Sequence, residues 1–144
     1  MLSMQRKKQI SVAVCVDDAL GLMFGGRRQS RDRVLIEDFL KDHCGETVVA
    51  GEYSRLLFRE HPEVQILTHP LEACSDGGAC FVEDGRLKPY LEQISSVTVY
   101  RWNRLYPADV YLDIDPVAEG FSLISVSELE GSSHQNITKE IYQK

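Results

Sequence analysis

A stretch rich in glycine and arginine precedes a predicted helix, and its residues are suited to binding an anion or a small polar ring. Backbone N–H groups at the start of a helix and forked guanidinium groups are both good partners for anions. The alternative is a flexible turn with solvated arginines, and the glycine spacing matches neither of the common nucleotide-binding motifs. The candidate ligand-binding residues here are Gly25, Gly26, Arg27, Arg28, Ser30 and Arg31.

Asp32 follows this stretch and is the candidate catalytic residue. A carboxylate at the mouth of a cleft would act as a proton relay or would bind a polar heterocycle. The nearby Arg28, Arg31 and Arg33 favour its ionised form, which suits binding of a protonated ring better than acid catalysis. A purely structural role is equally well supported, because the helix dipole alone stabilises an acid in the first helical turn by roughly 0.3–1 kcal/mol.

The single tryptophan, Trp102, stands between Arg101 and Asn103-Arg104 at the end of a predicted strand. This pattern suits stacking on a base or another ring, so Tyr100, Arg101 and Trp102 join the candidate ligand-binding residues. A strand end of this kind more often packs its tryptophan in the core and leaves the arginines at the surface.

Metal and nucleophile chemistry are disfavoured by the spacing of the side chains. The four histidines are scattered and the four cysteines form no closely spaced ligand set, so no metal site is predicted. No serine lies in the G-x-S-x-G context of a nucleophile elbow. The acidic pairs Glu37-Asp38 and Glu83-Asp84 are most simply solvated.

Length and composition exclude several classes of protein. A chain of 144 residues is expected to form one domain. Its net charge of −6 argues against a nucleic-acid partner, and no apolar run approaches the ~20 residues that span a bilayer. The basic residues 1–9 are expected to be flexible and do not resemble a signal peptide. We therefore expect a cytoplasmic protein with reduced thiols, including Cys74 and Cys80, whose spacing would also permit a disulfide.

Strands and helices are predicted to alternate over the first hundred residues. Ile10–Val16 is an almost continuous apolar run, typical of a central strand covered on both faces. Ser30 is the predicted N-cap of the next helix. The apolar residues of that helix recur at helical spacing up to Phe39 and Leu40, and Gly45 marks its end.

The remaining elements complete a predicted α/β fold. Residues 121–129 and 137–142 alternate apolar and polar residues, which indicates a β-hairpin with one exposed face. We therefore predict one domain over residues 10–144, with three layers: a mostly parallel central sheet, helices on both faces and a C-terminal antiparallel hairpin. Further strands are predicted at 47–50, 64–68, 79–82 and 96–102, and short helices at 53–59 and 86–93.

These elements, in this order, resemble dihydrofolate reductase. The segment 10–24 resembles that family's first strand and active-site loop, and Asp32 falls at its acidic position in the first helix. The segment 47–54 resembles the family's M-G-R-x-T turn, and 79–90 resembles the strand, G-G-G turn and helix that hold the cofactor pyrophosphate. The resemblance implies a dihydrofolate reductase-like fold, NADPH as the cofactor, and a set of cofactor-binding residues: Gly51, Ser54, Gly85 and Arg86.

Departures from the family pattern argue against its activity. Glu52 replaces the arginine that helps hold a cofactor phosphate, and Glu83 and Asp84 replace two glycines where the pyrophosphate would approach. Acidic side chains there would repel the anion and block close contact with the backbone. Tyr100 stands where the family has the threonine that orients the acidic residue. No cofactor is therefore expected, with NADPH kept as the alternative.

Three functions are considered for this chain on the basis of these resemblances. The favoured one is a reductase-like domain without the usual activity, which binds a small anionic or heterocyclic ligand in a cleft formed by residues 25–32. The second is an active NADPH-dependent reductase with a remodelled cofactor site. The third is nucleic-acid processing, because the chain is also similar to short bacterial proteins of which some carry a ribonuclease Z label. The missing metal motif disfavours this third function. The exposed edge of the hairpin would allow pairing with a second copy.

Overall fold

Ten strands, two α-helices and two 3₁₀-helices follow one another in the computed structural model, which describes residues 7–84 and 86–144. The 3₁₀-helices are Glu52–Ser54 and Lys88–Gln93. The other elements, in chain order, are β1 (Ile10–Val16), β2 (Gly21–Phe24), β3 (Arg27–Arg28), α1 (Arg33–Asp42), β4 (Val48–Gly51), β5 (Gln65–Leu67), α2 (Pro70–Ala73), β6 (Ala79–Phe81), β7 (Ile94–Arg101), β8 (Val110–Tyr111), β9 (Ser122–Leu129) and β10 (Ile137–Gln143).

Seven of these strands form one sheet in the order β5-β4-β6-β1-β7-β10-β9. The central strand β1 runs parallel to β6 and β7, while β10 is antiparallel to both β7 and β9. A strand that is paired on both edges and covered on both faces must be apolar throughout. The continuous apolar run Ile10–Val16 predicted such a strand. The predicted α/β fold with an antiparallel C-terminal hairpin is confirmed.

Two hydrophobic clusters lie on opposite faces of this sheet. On one face, α1 packs Leu35, Ile36 and Phe39 against Phe81 and Tyr100. The other face carries residues of α2, of the Lys88–Gln93 helix and of β2. Burial of these side chains is the main stabilising term and gives the fold its three layers.

A second, small sheet has the order β3-β2-β8, which the sequence did not predict. Gly25 and Gly26 have φ values of 60° and 76° and join β2 to β3 as a two-residue turn. Two successive positive φ values match the twist of a tight hairpin, and glycine adopts them at little cost. The glycine stretch is therefore a hairpin turn and does not lead directly into a helix.

Several predicted element boundaries were wrong. The N-cap of α1 is Asp32 and not Ser30. The helix predicted at 53–59 is only the 3₁₀-helix Glu52–Ser54 followed by turns, and Leu56 has 74% of its surface exposed. The second predicted helix is likewise a 3₁₀-helix, and Pro89 lies in its first turn, where a missing backbone N–H is tolerated. The short helix α2 was missed.

The hairpin of β9 and β10 is also more exposed than predicted. Residues 122–128 of β9 are all exposed, although only one face was expected to be. The reason is that β9 is the outermost strand and that none of its residues 122–128 belongs to either hydrophobic cluster, so both of its faces meet solvent.

The N-terminal segment is held by Lys8, and the cysteines are unpaired. Residues 1–6 of the expected flexible N-terminus lie outside the described residues, whereas Lys8 Nζ donates to Glu72 O at 2.6 Å and to Cys74 O at 2.8 Å. All four cysteines are free, and Cys74 and Cys80 are buried. Across residues 7–84 and 86–144, no helix is long and apolar enough to cross a membrane.

Candidate functional site

Asp32 lies at the centre of the candidate site, where it caps α1 and holds a distant loop. Its Oδ1 accepts from Leu35 N at 3.1 Å, and its Oδ2 accepts from the N and Oγ of Ser133 at 2.6 and 2.8 Å. Burial raises the pKa of this carboxyl, but the hydrogen bonds from Ser133, Ser132 and Leu35 outweigh burial and lower the pKa from 3.8 to about 2. Asp32 is therefore ionised at neutral pH.

The loop that Asp32 holds is the β9–β10 loop (residues 130–136), which approaches α1 closely at Gly131. A Cβ on Gly131 would collide with Asp32 Oδ2 and would lie 2.7 Å from the carbonyl oxygen of His134. Only glycine lets the loop come this near to the helix start. The loop is thereby fixed across the N-terminus of α1.

His134 continues the same network toward the end of β7. Its Nδ1 is 2.7 Å from Ser133 Oγ, its Nε2 is 2.6 Å from the Tyr106 hydroxyl, and its ring stacks on Trp102 with centroids 4.7 Å apart. Burial and the positive charge of Arg104 lower the pKa of His134, against the opposing effect of Asp32. Serine lies between the acid and the histidine, so this is not the order of a Ser-His-Asp nucleophile, in which histidine is central.

An ion pair between Arg28 and Glu83 borders the same interior region as Asp32. The guanidinium of Arg28 donates from Nε to Glu83 Oε1 at 2.6 Å and from Nη2 to Oε2 at 3.0 Å. Ser54 Oγ donates to the same Oε2 at 2.6 Å, and the Arg28 guanidinium lies 4.7 Å from the ring centroid of Tyr53. A two-bond arginine–carboxylate pair of this kind is strong and geometrically specific.

An inner cavity lies between Asp32 and the Arg28–Glu83 pair. Its volume is about 20 Å³, which is room for about one water molecule. Cys15 faces the cavity as a protonated thiol, because burial and the negative charges of Glu83 and Asp32 raise its pKa against the effect of Arg28. The other lining residues that were predicted site residues are Arg28, Ser30, Arg31, Asp32 and Trp102.

A larger open groove lies outside the cavity, and we call it the arginine groove. Its volume is about 440 Å³. Ile36, Leu56 and Leu57 provide apolar surface, and Ser132 and Ser133 of the β9–β10 loop form one wall. The charged and ionisable residues of this groove are Arg31, Arg33, Arg59, His61, Glu60 and the buried Asp32.

The lining of the arginine groove contains three arginines and two carboxylates, and two of the arginines are unpaired among the described residues. Asp32 is directed inward and satisfied, and Arg33 Nη1 makes an exposed ion pair with Glu37 at 3.3 Å. Among the described residues, the guanidinium groups of Arg31 and Arg59 have no hydrogen-bonding partner. A shallower depression next to the groove is lined by Arg27 and by Arg28, whose guanidinium is paired with Glu83.

A third concave region, the strand-end groove, lies beyond the C-terminal ends of β4, β5 and β6 and measures about 460 Å³. Its lining includes Gly51, Glu52, Asp84 and Arg86. Arg86 Nε is 3.8 Å from Asp113 Oδ2.

A carboxylate of the chain occupies the start of the Lys88–Gln93 helix beside this groove. Asp113 accepts from the backbone N of Leu87 and Lys88 at 2.9 and 3.0 Å. Backbone groups that would suit an external anion are thus already satisfied.

The structure separates some predicted site residues from the rest. Tyr100 is fully buried beneath α1, where its hydroxyl donates to Asp38 at 2.7 Å. Arg101 pairs with Glu140 at 2.8 Å on the opposite face of the sheet from Trp102. Gly25 and Gly26 lie in an exposed turn.

The predicted cofactor-binding residues are also divided. Gly51 and Arg86 line the strand-end groove, while Ser54 is bound to Glu83 in the interior. Gly85 lies outside the described residues. The interpretation of Glu83 as solvated was wrong, because it is paired with Arg28.

Sequence reasoning missed Arg59, Tyr106, Ser133 and His134. None belongs to a local motif, and each joins the site through tertiary packing. The only local signal was the Gly131-Ser132-Ser133 turn, which is rich in groups that hydrogen-bond to neighbouring backbone. Within the described part of the chain, no cluster of three or more His, Cys, Asp or Glu residues is arranged to hold a metal ion.

Comparison of the structure with solved structures finds a dihydrofolate reductase fold. The chain is similar to dihydrofolate reductase from Enterococcus faecalis, solved in complex with NADP(H) and RAB-propyl, with a TM-score of 0.67. The alignment covers 94% of this chain and 95% of the other, at 9% sequence identity. This protein therefore has a dihydrofolate reductase-like domain, and identity at this level establishes the fold alone. No protein-family model and no curated protein matches the sequence.

Proposed function

We propose that this domain binds a small anionic molecule with an apolar or ring-shaped body in the arginine groove, and that it is not a classical reductase. The observation that carries the proposal is the juxtaposition of Arg31 and Arg59, free of partners among the described residues, with an apolar surface in a groove of about 440 Å³. That volume suits a small-molecule ligand.

The apolar part of the groove supports a ligand with a hydrophobic body. Leu56 has 74% of its surface exposed, and Leu57 and Ile36 extend the same surface toward the interior. Covering such side chains contributes roughly 25 cal/mol for each Å² removed from water. The arginines would pair with the anionic group while the body of the ligand covers the leucines.

In this proposal Asp32 positions the site and does not transfer protons. Its carboxylate oxygens already accept hydrogen bonds from α1 and from the β9–β10 loop. Its pKa of about 2 leaves no proton to donate at neutral pH. Asp32 would thus hold the wall of the groove formed by Ser132 and Ser133.

An NADPH-dependent reductase is the second candidate, because the strand-end groove remains open at about 460 Å³. The similar dihydrofolate reductase was solved with NADP(H). The residues present here fit that cofactor poorly: Glu52 and Asp84 are acidic, and Asp113 occupies the backbone amides of Leu87 and Lys88. We therefore place this function second.

Calorimetric titration with inorganic phosphate, pterins, nucleotides and phosphorylated metabolites tests the first proposal. We expect an anionic ring compound to bind, and Arg31→Ala and Arg59→Ala each to weaken binding by about tenfold, which is a loss of one charge-assisted contact. Arg55→Ala is the matched control, because Arg55 pairs with Glu52 outside the groove. Equal affinity in all variants would place the ligand elsewhere.

Titration with NADPH, followed by its fluorescence, separates the two candidates. The first proposal expects no saturable binding below about 100 μM, a weak affinity on the scale of biological ligands. Saturable binding in that range, together with oxidation of NADPH when a pterin is added, would establish the reductase instead.

A further inference from the structure

The strand-end groove lies where two neighbouring strands send the chain to opposite faces of the sheet. β4 and β6 are adjacent and parallel, so their C-terminal ends meet at one edge. The chain after β4 packs Phe58 on the face that α1 covers, whereas the chain after β6 packs Leu87 on the other face. In open α/β sheets such a divergence leaves a crevice outside the strand ends, and ligands bind there. The volume of about 460 Å³ suits a small molecule.

Gly51, the last residue of β4, keeps this groove open. Its φ of −82° and ψ of 169° are extended backbone that any residue adopts, so the conformation does not require glycine. A Cβ at this position would lie 3.7 Å from Pro70 Cγ, which is an ordinary contact. Because Gly51 lines the groove, its missing side chain leaves room for a ligand at the end of β4.

An apolar wall with an oriented aromatic ring lines the same groove. Pro70, Leu71 and Pro89 contribute apolar surface, and the half-buried Tyr90 lines the groove with them. The Tyr90 hydroxyl donates to Glu72 Oε1 at 2.9 Å, which holds the ring in place. A tyrosine ring packs against other flat rings and attracts a cation over its face. These residues suit a ligand with a flat apolar body.

The charges of the lining favour a cation. Asp113 already occupies the backbone amides at the start of the neighbouring 3₁₀-helix, and its Oδ2 lies 3.8 Å from Arg86 Nε. Glu52 is paired with Arg55 at 2.7 Å. Asp84 is exposed and has no hydrogen-bond or ion-pair partner among the residues that the structure describes. The groove therefore offers the carboxylate of Asp84 to a ligand.

We propose that the strand-end groove binds an organic amine in which a single ammonium group is carried on a flat apolar ring. The ammonium group pairs with the Asp84 carboxylate, and the ring covers the apolar wall in the space that Gly51 leaves open. Phosphate-bearing ligands are disfavoured, because Asp84 repels them and Asp113 fills the backbone amides that would bind them. This ligand is distinct from the anion proposed for the arginine groove, and neither proposal depends on the other.

Calorimetric titration with phenethylamine and with hydrocinnamate tests the charge of the ligand. The two probes share the same phenylethyl body, which carries an ammonium group in one and a carboxylate in the other. We expect phenethylamine to bind saturably with a Kd below about 1 mM, a weak affinity that suits so small a molecule. Asp84→Asn is expected to weaken this binding by about tenfold, the loss of one charge-assisted contact. Glu119→Gln is the matched control, because Glu119 is exposed outside the groove.

Filling the groove tests the location of the ligand. Gly51→Val is expected to weaken phenethylamine binding by at least about tenfold, since the added side chain takes up the space at the end of β4. Melting curves confirm that the variant is folded, and the exposed position of Asp84 makes Asp84→Asn decisive even where Gly51→Val is not folded.

Three results would overturn the proposal. The first is the absence of saturable phenethylamine binding to the wild-type protein. The second is phenethylamine binding that is unchanged in both folded variants, because the amine would then bind elsewhere. The third is binding of hydrocinnamate or NADPH that is lost in folded Gly51→Val, because the groove would then be a site for anions.

Discussion

Asp32 shows how one side chain connects parts of the chain that are far apart in sequence. It caps α1 and accepts from both the backbone and the hydroxyl of Ser133. Arginines near it in sequence were expected to keep it ionised, but Arg28 is bound to Glu83. The hydrogen bonds of the β9–β10 loop have that effect instead.

Asp32→Asn is expected to destabilise the protein at neutral pH by about 2 kcal/mol, the free energy that corresponds to lowering a carboxyl pKa from 3.8 to about 2. Because the pKa is lower in the folded state, this stabilisation is present above pH 3.8 and is lost as the pH falls toward 2. Urea denaturation of both proteins between pH 7 and pH 2 measures the difference. A constant difference down to pH 2 would contradict the assignment.

His134 gives the site a pH-dependent optical signal. Its ring stacks on Trp102, the single tryptophan, and its pKa is lowered from 6.5 by burial and by Arg104. Protonated histidine quenches a stacked indole, so Trp102 fluorescence should fall with a midpoint below pH 6.5. His134→Gln should abolish the transition, and its persistence would assign the quenching to another group. Stability should also fall as the pH drops below 6.5, because the unfolded chain takes up the proton first.

The β9–β10 loop depends on a close approach to α1 that only glycine permits. Gly131→Ala is expected to lower the melting temperature clearly, because its Cβ would displace Asp32 or the loop. Gly51→Ala is the matched control, since its Cβ would be 3.7 Å from Pro70, an ordinary contact. The two melting curves would be compared with that of the wild type. Equal melting temperatures for both variants would contradict the close packing of this loop.

Element prediction succeeded where a local pattern was sufficient. The apolar run of β1 and the helical spacing of Leu35 and Phe39 are properties of short segments, and both elements are present. The hairpin of β2 and β3 was missed because β3 has two residues and β2 is held by β8, far along the chain. Such short strands are too brief to show an alternating pattern.

The reactivity of the four thiols reports on the packing of the whole molecule. Cys44 is exposed, Cys15 is half-buried, and Cys74 and Cys80 are buried in the core. Ellman's reagent should therefore modify one thiol quickly in the native protein, and all four only after unfolding in guanidinium chloride. Burial also raises the pKa of Cys74 and Cys80, which slows their reaction further. Rapid reaction of two or more native thiols would contradict this packing.

A reducing agent gives a complementary measurement on the whole molecule. Since all four cysteines are free, dithiothreitol should leave the melting temperature unchanged. A fall in melting temperature would indicate a disulfide between Cys74 and Cys80, the possibility that their spacing allowed.

The strands of the main sheet, its central strand and the likeness to dihydrofolate reductase are visible in the sequence, because hydrophobic periodicity is a property of neighbouring residues. The site is not, because its contacts join residues far apart in the chain. Arg28 and Glu83 are 55 positions apart, and Asp32 and Ser133 are 101 apart. Whether an arginine is free for a ligand or paired within the protein depends on which carboxylate the packed chain brings beside it. Folding pairs Arg28 internally and leaves Arg31 and Arg59 on the open groove.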